Sequence, residues 1–130
     1  MSAPATLAQL KAILAAFNSH ELDRVMTFFA EDCVLDMPRG PDPWGRRSVG
    51  TAAVRAALKS RFDGIPDVHY GEDEHAVAGA LGVSRWRLTG TLAATGAAVD
   101  VRGCDFYEFR DGLVTRKDSY WKIVEPTVPG

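Results

Sequence analysis

The 130-residue sequence has few cysteines, no marked excess of either charge and no long apolar run, and each shortage removes a class of protein. Its two cysteines, Cys33 and Cys104, lie in strand-like apolar patterns, without CxxC spacing or a neighbouring cysteine or histidine ligand set. They read as buried free thiols, and neither a disulfide scaffold nor a zinc site is expected. The net charge is -2 and the fifteen Lys and Arg residues are scattered, so the basic footprint of a nucleic-acid binder is missing. No apolar stretch approaches the ~20 residues that span a bilayer. The opening "MSAPATLAQLKAILAAF" lacks the basic start, unbroken apolar run and cleavage site of a secretion signal, so a soluble, cytoplasmic protein is expected. GxGxxG, P-loop and GxSxG motifs are absent, and nothing in the sequence demands a cofactor or a metal.

What is present suits one domain spanning 1–130 with a single core, since 46% of the residues are hydrophobic and 25% charged. Leu7, Leu10, Ile13, Leu14 and Phe17 recur at three- and four-residue steps and predict an amphipathic helix over Thr6 to Asn18. After "NSHE", the same spacing in Leu22, Val25, Met26 and Phe29 predicts a second, short helix ending at "AED". "CVLDMP" then reads as a strand that opens into the Pro/Gly-rich loop "PRGPDPWGRRSVG". Val54, Leu58 and Phe62 mark a third helix over Thr51 to Phe62. Beyond it, "VHYGEDEHAVAG", "LGVSRWRLTGTLA", "AVDVRGCDFYEF" and "LVTRKDSYWKIV" are strands, the last two joined by the turn "RDG". Six glycines among these strands predict strong curvature.

Alternation along "VRGCDFYEFRDG" puts Val101, Gly103, Asp105, Tyr107 and Phe109 on one face, the more apolar one. Asp105 is then carried inward, where a carboxylate must find donors or take up a proton. In the partner strand the same rule groups Val114, Arg116, Asp118 and Tyr120, which would join Asp105 on one wall, with Lys117, Ser119 and Trp121 opposite. Periodicity leaves two roles open for Asp105, a satisfied strand residue or the polar group of a pocket.

The succession "LDRVMTFFAEDCVLDMP", "GTAAVRAAL", "IPDVHY" and "CDFYEFRDGLVTRKDSYW" resembles the SnoaL-like branch of the nuclear transport factor 2-like superfamily, across nearly the whole chain. The resemblance implies an α+β, cystatin-like fold: a cone-shaped barrel of strongly curved antiparallel sheet wrapped around three N-terminal helices. It also implies a deep, mostly apolar pocket and a homodimer built across the outer face of the sheet. Members include ketosteroid isomerases, polyketide cyclases, epoxide hydrolases and non-catalytic binding domains. On the ketosteroid isomerase pattern, Asp105 matches the oxyanion-hole aspartate, whereas Met37 stands where the general base would be and Ile13 where the tyrosine would be. A methionine accepts no proton, so that mechanism is disfavoured. The epoxide hydrolase pattern puts Ser119 at its last-strand aspartate, with Asp118 one place away; a one-residue shift of the strand would exchange their faces.

The candidate catalytic residues are therefore Asp105 and Asp118, and the candidate ligand-binding residues Met37, Trp44, His69, Trp86, Tyr107 and Tyr120. Trp44 would cap the pocket mouth or pack on its own loop. Trp86 would line the interior with Leu88 while Arg85 and Arg87 face out. His69 and His75 are the remaining acid–base candidates, since His20 sits in the break between the first two helices; His69 would point inward or, having no identifiable proton-transfer partner, serve as a structural histidine. The expected partner is a small apolar or carbonyl-containing molecule. The function is isomerase, cyclase or dehydratase chemistry through a buried Asp105, or ligand binding or dimerisation without catalysis, or epoxide hydrolysis through Asp118 and an arginine.

Overall fold

A computed structural model describes residues 4–126, and the remaining positions of the expected 1–130 domain lie outside the described residues. Helix α1 (Leu7–Ser19) starts at Thr6, whose side chain accepts from the Gln9 amide at 3.1 Å while the Gln9 side chain accepts from the Thr6 amide at 2.8 Å. This reciprocal cap satisfies two amides that the first turn leaves free. Leu10, Ile13, Leu14 and Phe17 are buried, and His20 in a left-handed conformation (φ 60°) ends the helix. Helix α2 is only Leu22–Met26, because the chain is already extended at Phe29. Strand β1 (Phe29–Asp36) thus starts earlier than "CVLDMP" suggested. A short strand, β2 (Arg47–Val49), emerges from the Pro/Gly-rich loop and leads into α3 (Thr51–Gly64), whose Val54 and Leu58 are buried.

Four long strands complete the fold: β3 (His69–Ala78), β4 (Leu81–Thr91), β5 (Ala98–Arg110) and β6 (Leu113–Trp121). Asp111 and Gly112, at φ 51° and 80°, make the β5–β6 turn, the left-handed pair that a tight hairpin requires. The sheet order is β2-β1-β6-β5-β4-β3. All neighbours are antiparallel except β1 and β6, which run parallel, so the sheet is mixed where a purely antiparallel one was expected. It curls around the helices without closing. Close approach explains two of the glycines: a Cβ on Gly82 would lie 2.7 Å from Leu10 of α1, and one on Gly103 would lie 2.6 Å from the Trp86 ring.

Two one-residue irregularities decide which side chains face the helices. In β3, Gly71 pairs with Arg87 but Glu74 with Arg85, so one residue is extra and Glu72 takes φ 48°. In β6, Glu108 pairs with Arg116 but Phe109 with Val114, which leaves Thr115 unopposed. Each bulge reverses the in–out parity of the strand residues beyond it. Val114 is inside, and after the bulge the inward residues of β6 are Lys117 and Ser119.

Candidate functional site

Within the curl, Asp105 of β5 is 2% exposed and lies opposite Ser119 of β6. Its Oδ1 accepts from Lys117 Nζ at 2.9 Å and Ser119 Oγ at 2.6 Å, and its Oδ2 from Trp86 Nε1 at 2.9 Å. Lys117, 6% exposed, also donates to Ser119 Oγ at 2.8 Å, closing a triangle of ammonium, hydroxyl and carboxylate. Tyr107 is next to it on the inner face; burial first, and then the Asp105 charge, push its phenol well above the usual tyrosine value. Every group reaching Asp105 is a donor, the pattern an ionised carboxylate satisfies.

The surroundings are aromatic. Tyr70 meets Trp86 edge-on at 5.0 Å, Trp86 meets Trp121 edge-on at 6.2 Å, and Phe17 meets Tyr70 at 5.9 Å. The Lys117 ammonium lies 5.2 Å from the Phe17 ring. Arg61, in the last turn of α3, stacks its guanidinium 4.3 Å over Trp121. The strand register carries the polar row further, since Ser84 of β4 pairs with Asp105 on one side and His75 of β3 on the other. His75 Nδ1 is 2.8 Å from Ser84 Oγ and its Nε2 is 2.7 Å from Asp73, whose carboxyl it holds below the usual value. The row His75, Ser84, Asp105, Ser119 thus crosses the inner face.

Of the residues singled out from the sequence, Asp105, Trp86 and Tyr107 meet here. Met37 is half-buried against the core at the end of β1. Trp44 is 47% exposed, with Arg47 5.0 Å from its ring. His69 is exposed, and the inward place beside it belongs to Tyr70. Asp118 and Tyr120 are corrected in placement: the Thr115 bulge turns both to the outer face, where the Tyr120 hydroxyl donates to Asp118 at 3.2 Å. Asp36, the β1 partner of Asp118, is buried beneath Arg47 (2.7 Å) and Arg116 (2.6 Å). Asp118 and an arginine therefore share the outer surface, and the arrangement that epoxide hydrolysis needs inside is not formed.

Sequence reasoning missed Lys117, Ser119, Arg61 and the partners of His75. A lysine and a serine in a strand of alternating polarity read as solvent-facing, and only the bulge brings them in. Among the described residues no three His, Cys, Asp or Glu side chains converge as metal ligands, and no helix is long and apolar enough to cross a membrane. Two surface grooves, of about 480 and 450 Å³, are lined by other residues such as Ala80 with Glu108, and Asp100 with Lys122.

A curled mixed sheet around a capped helix, with a polar cluster inside, defines the nuclear transport factor 2-like class of α+β domain. Residues 10–117 match the SnoaL-like domain, so the chain belongs to the SnoaL-like family. No curated protein sequence matches it. Among solved structures, it is similar to a proposed polyketide cyclase from Xanthomonas campestris pv. campestris (24% identity, 88% of each chain, TM-score 0.79). It is also similar to a proposed isomerase from Bacillus subtilis (19% identity, 88% of this chain and 84% of that one, TM-score 0.75). A third is TerC, crystallised with polyporic acid (15% identity, 89% of this chain and 90% of that one, TM-score 0.73). At these identities the likeness shows the fold.

Two outcomes are expected. Lys117→Met leaves the Asp105 charge buried without its counter-ion and costs ~3–5 kcal/mol in urea unfolding, whereas Lys117→Met with Asp105→Leu recovers most of that loss. A double variant as unstable as the single one would show that the pair is not coupled. On the outer face, burial first and then the Asp36 charge raise the Asp118 carboxyl, against the Tyr120 hydroxyl bond and the Arg116 and Arg47 charges. Its folded value lies above the unfolded ~3.9, so the contribution is fully present below that pH and is lost as pH rises through the folded value. Asp118→Asn should therefore gain on the wild type in stability as pH rises from about 3 to about 6; parallel curves would refute this.

Proposed function

We propose that this SnoaL-like protein binds a small carbonyl compound inside the cone and moves a proton on it, in the manner of an isomerase or cyclase, without a cofactor. The observation that carries the reading is the Asp105–Lys117–Ser119 triangle, set in an aromatic interior. A buried ion pair is weak support for stability, because its desolvation offsets its attraction. Aromatic walls suit a flat apolar ligand, and the neighbours with cyclase and isomerase descriptions use the same scaffold.

Two of the three Lys117 N–H donors reach Asp105 and Ser119, and the third is available to a ligand carbonyl oxygen. A ligand displacing the Ser119 hydroxyl from Oδ1 would present its α-carbon proton to Asp105. The carboxylate takes the proton, the C–H electron pair becomes the enolate, and Lys117 stabilises the charge developing on oxygen. Return of the same proton to another carbon completes an isomerisation with no redox change.

A second reading, ligand binding without catalysis, is favoured by the three donors that already occupy Asp105. Proton NMR in D2O with 2-tetralone separates the two. Catalysis predicts α-proton exchange ~10²-fold faster with wild type than with the Asp105→Leu, Lys117→Met double variant. Equal exchange rates, with a melting shift on adding the ketone, would leave binding alone.

The reading extends to a cytoplasmic homodimer. Both cysteines are free, as suits a reducing compartment. Phe106 and Tyr120, 38% and 54% exposed, pair edge-on at 5.7 Å on the outer face and offer a self-complementary patch. In sedimentation equilibrium, Phe106→Arg should convert a dimeric wild type to monomer; a wild type already monomeric at micromolar concentration would exclude the dimer.

A further inference from the structure

Arg61 is placed as few arginines are. It is half-buried, and its guanidinium carbon lies 4.3 Å from the centre of the Trp121 ring. Arg116 and Arg87, the comparable half-buried arginines, reach Asp36 at 2.6 Å and Asp100 at 2.5 Å. Among the described residues Arg61 has no such carboxylate. The one negative charge that bears on it is Asp105, which already carries Lys117, together with the phenol of Tyr70. From the loop after β1, the charge of Arg39 acts on it unfavourably. Burial pushes the Arg61 guanidinium below its ordinary value. A desolvated cation beside a second cation is unfavourable unless something negative joins them.

We propose that Arg61, Trp121 and Arg39 form a recognition point at the mouth of the cone for a flat aromatic ligand bearing a carboxylate. Stacking on Trp121 occupies one face of the guanidinium and leaves its in-plane N–H groups to donate, the geometry that a carboxylate accepts in bidentate fashion. The ring of such a ligand would continue inward along the Trp121–Trp86 edge contact toward the Asp105 cluster. Arg39, exposed on the loop, would add attraction from the solvent side. The inference rests on the reading that a ligand occupies the interior, and it adds the ligand's charge and where that charge sits.

The test uses two probes of the same shape, 2-naphthoate and 2-naphthamide, titrated against the full chain by tryptophan fluorescence and calorimetry. Wild type should bind the anion at least ~10-fold more tightly than the amide, as a charge-assisted bond predicts. Arg61→Met should abolish the preference while keeping amide affinity, and Arg61→Lys should restore part of it. Arg39→Met, an exposed change that leaves the core intact, should reduce the preference by a smaller factor; this keeps the test decisive if Arg61→Met does not fold. Equal binding of the two probes by wild type overturns the anion site and leaves interior binding standing. So does a preference that survives Arg61→Met. Failure of both probes to bind wild type overturns both readings together.

Discussion

A carboxylate and an ammonium share the interior of this domain, and much of the surrounding arrangement answers their demands. Asp105 and Lys117 lose their water on folding, so each must be met by polar groups at hydrogen-bond distance. Ser119 and Trp86 supply two of these, from the strands on either side of β5. The Trp86 indole reaches Asp105 because the residue opposite it, Gly103, has no side chain to obstruct it. The triangle together with the Trp86 bond therefore ties three strands in register and sets the position of the largest side chain in the core.

Inner and outer faces deal with charge differently. Inside, one carboxylate faces one ammonium and the remaining partners are neutral. On the outer face, Asp36 is held by two guanidiniums, and Arg116 also reaches Glu108 at 3.0 Å, so the ions form a network at the half-wetted surface. Asp36 itself is buried, while the two guanidiniums that hold it stay partly in water. The buried triangle is the expensive arrangement, which is why the functional reading centres on it.

Element types were legible from periodicity because the apolar residues of α1, α3 and the four long strands repeat cleanly. The strand β2 was not, since three residues in a Pro/Gly-rich loop carry no period of their own. Asp105, Trp86 and Tyr107 were placed inward by alternation, which holds along β5 and β4. The same rule failed at Asp118 and Tyr120, and for one cause. Alternation counts residues, and an inserted residue at Thr115 or near Glu72 changes the count without any change in composition. Arg61 was invisible for a different reason: its partner Trp121 lies on another element, so no spacing along α3 could indicate the contact.

The parallel pairing of β1 with β6 has a consequence for how the chain reaches this state. β1 is the first of the six strands and carries Asp36, but β6, beside it on the side away from β2, is the last of them. Until β6 arrives, one edge of β1 has unpaired amides and carbonyls, and Asp105 has neither Lys117 nor Ser119. Closing so long a loop sets in late and makes folding slow for a domain of this size. The interior ions thus meet only once β6 has left the ribosome, and a truncated product lacking β6 would expose both a sheet edge and an unmatched carboxylate to the proteases that clear unfinished chains.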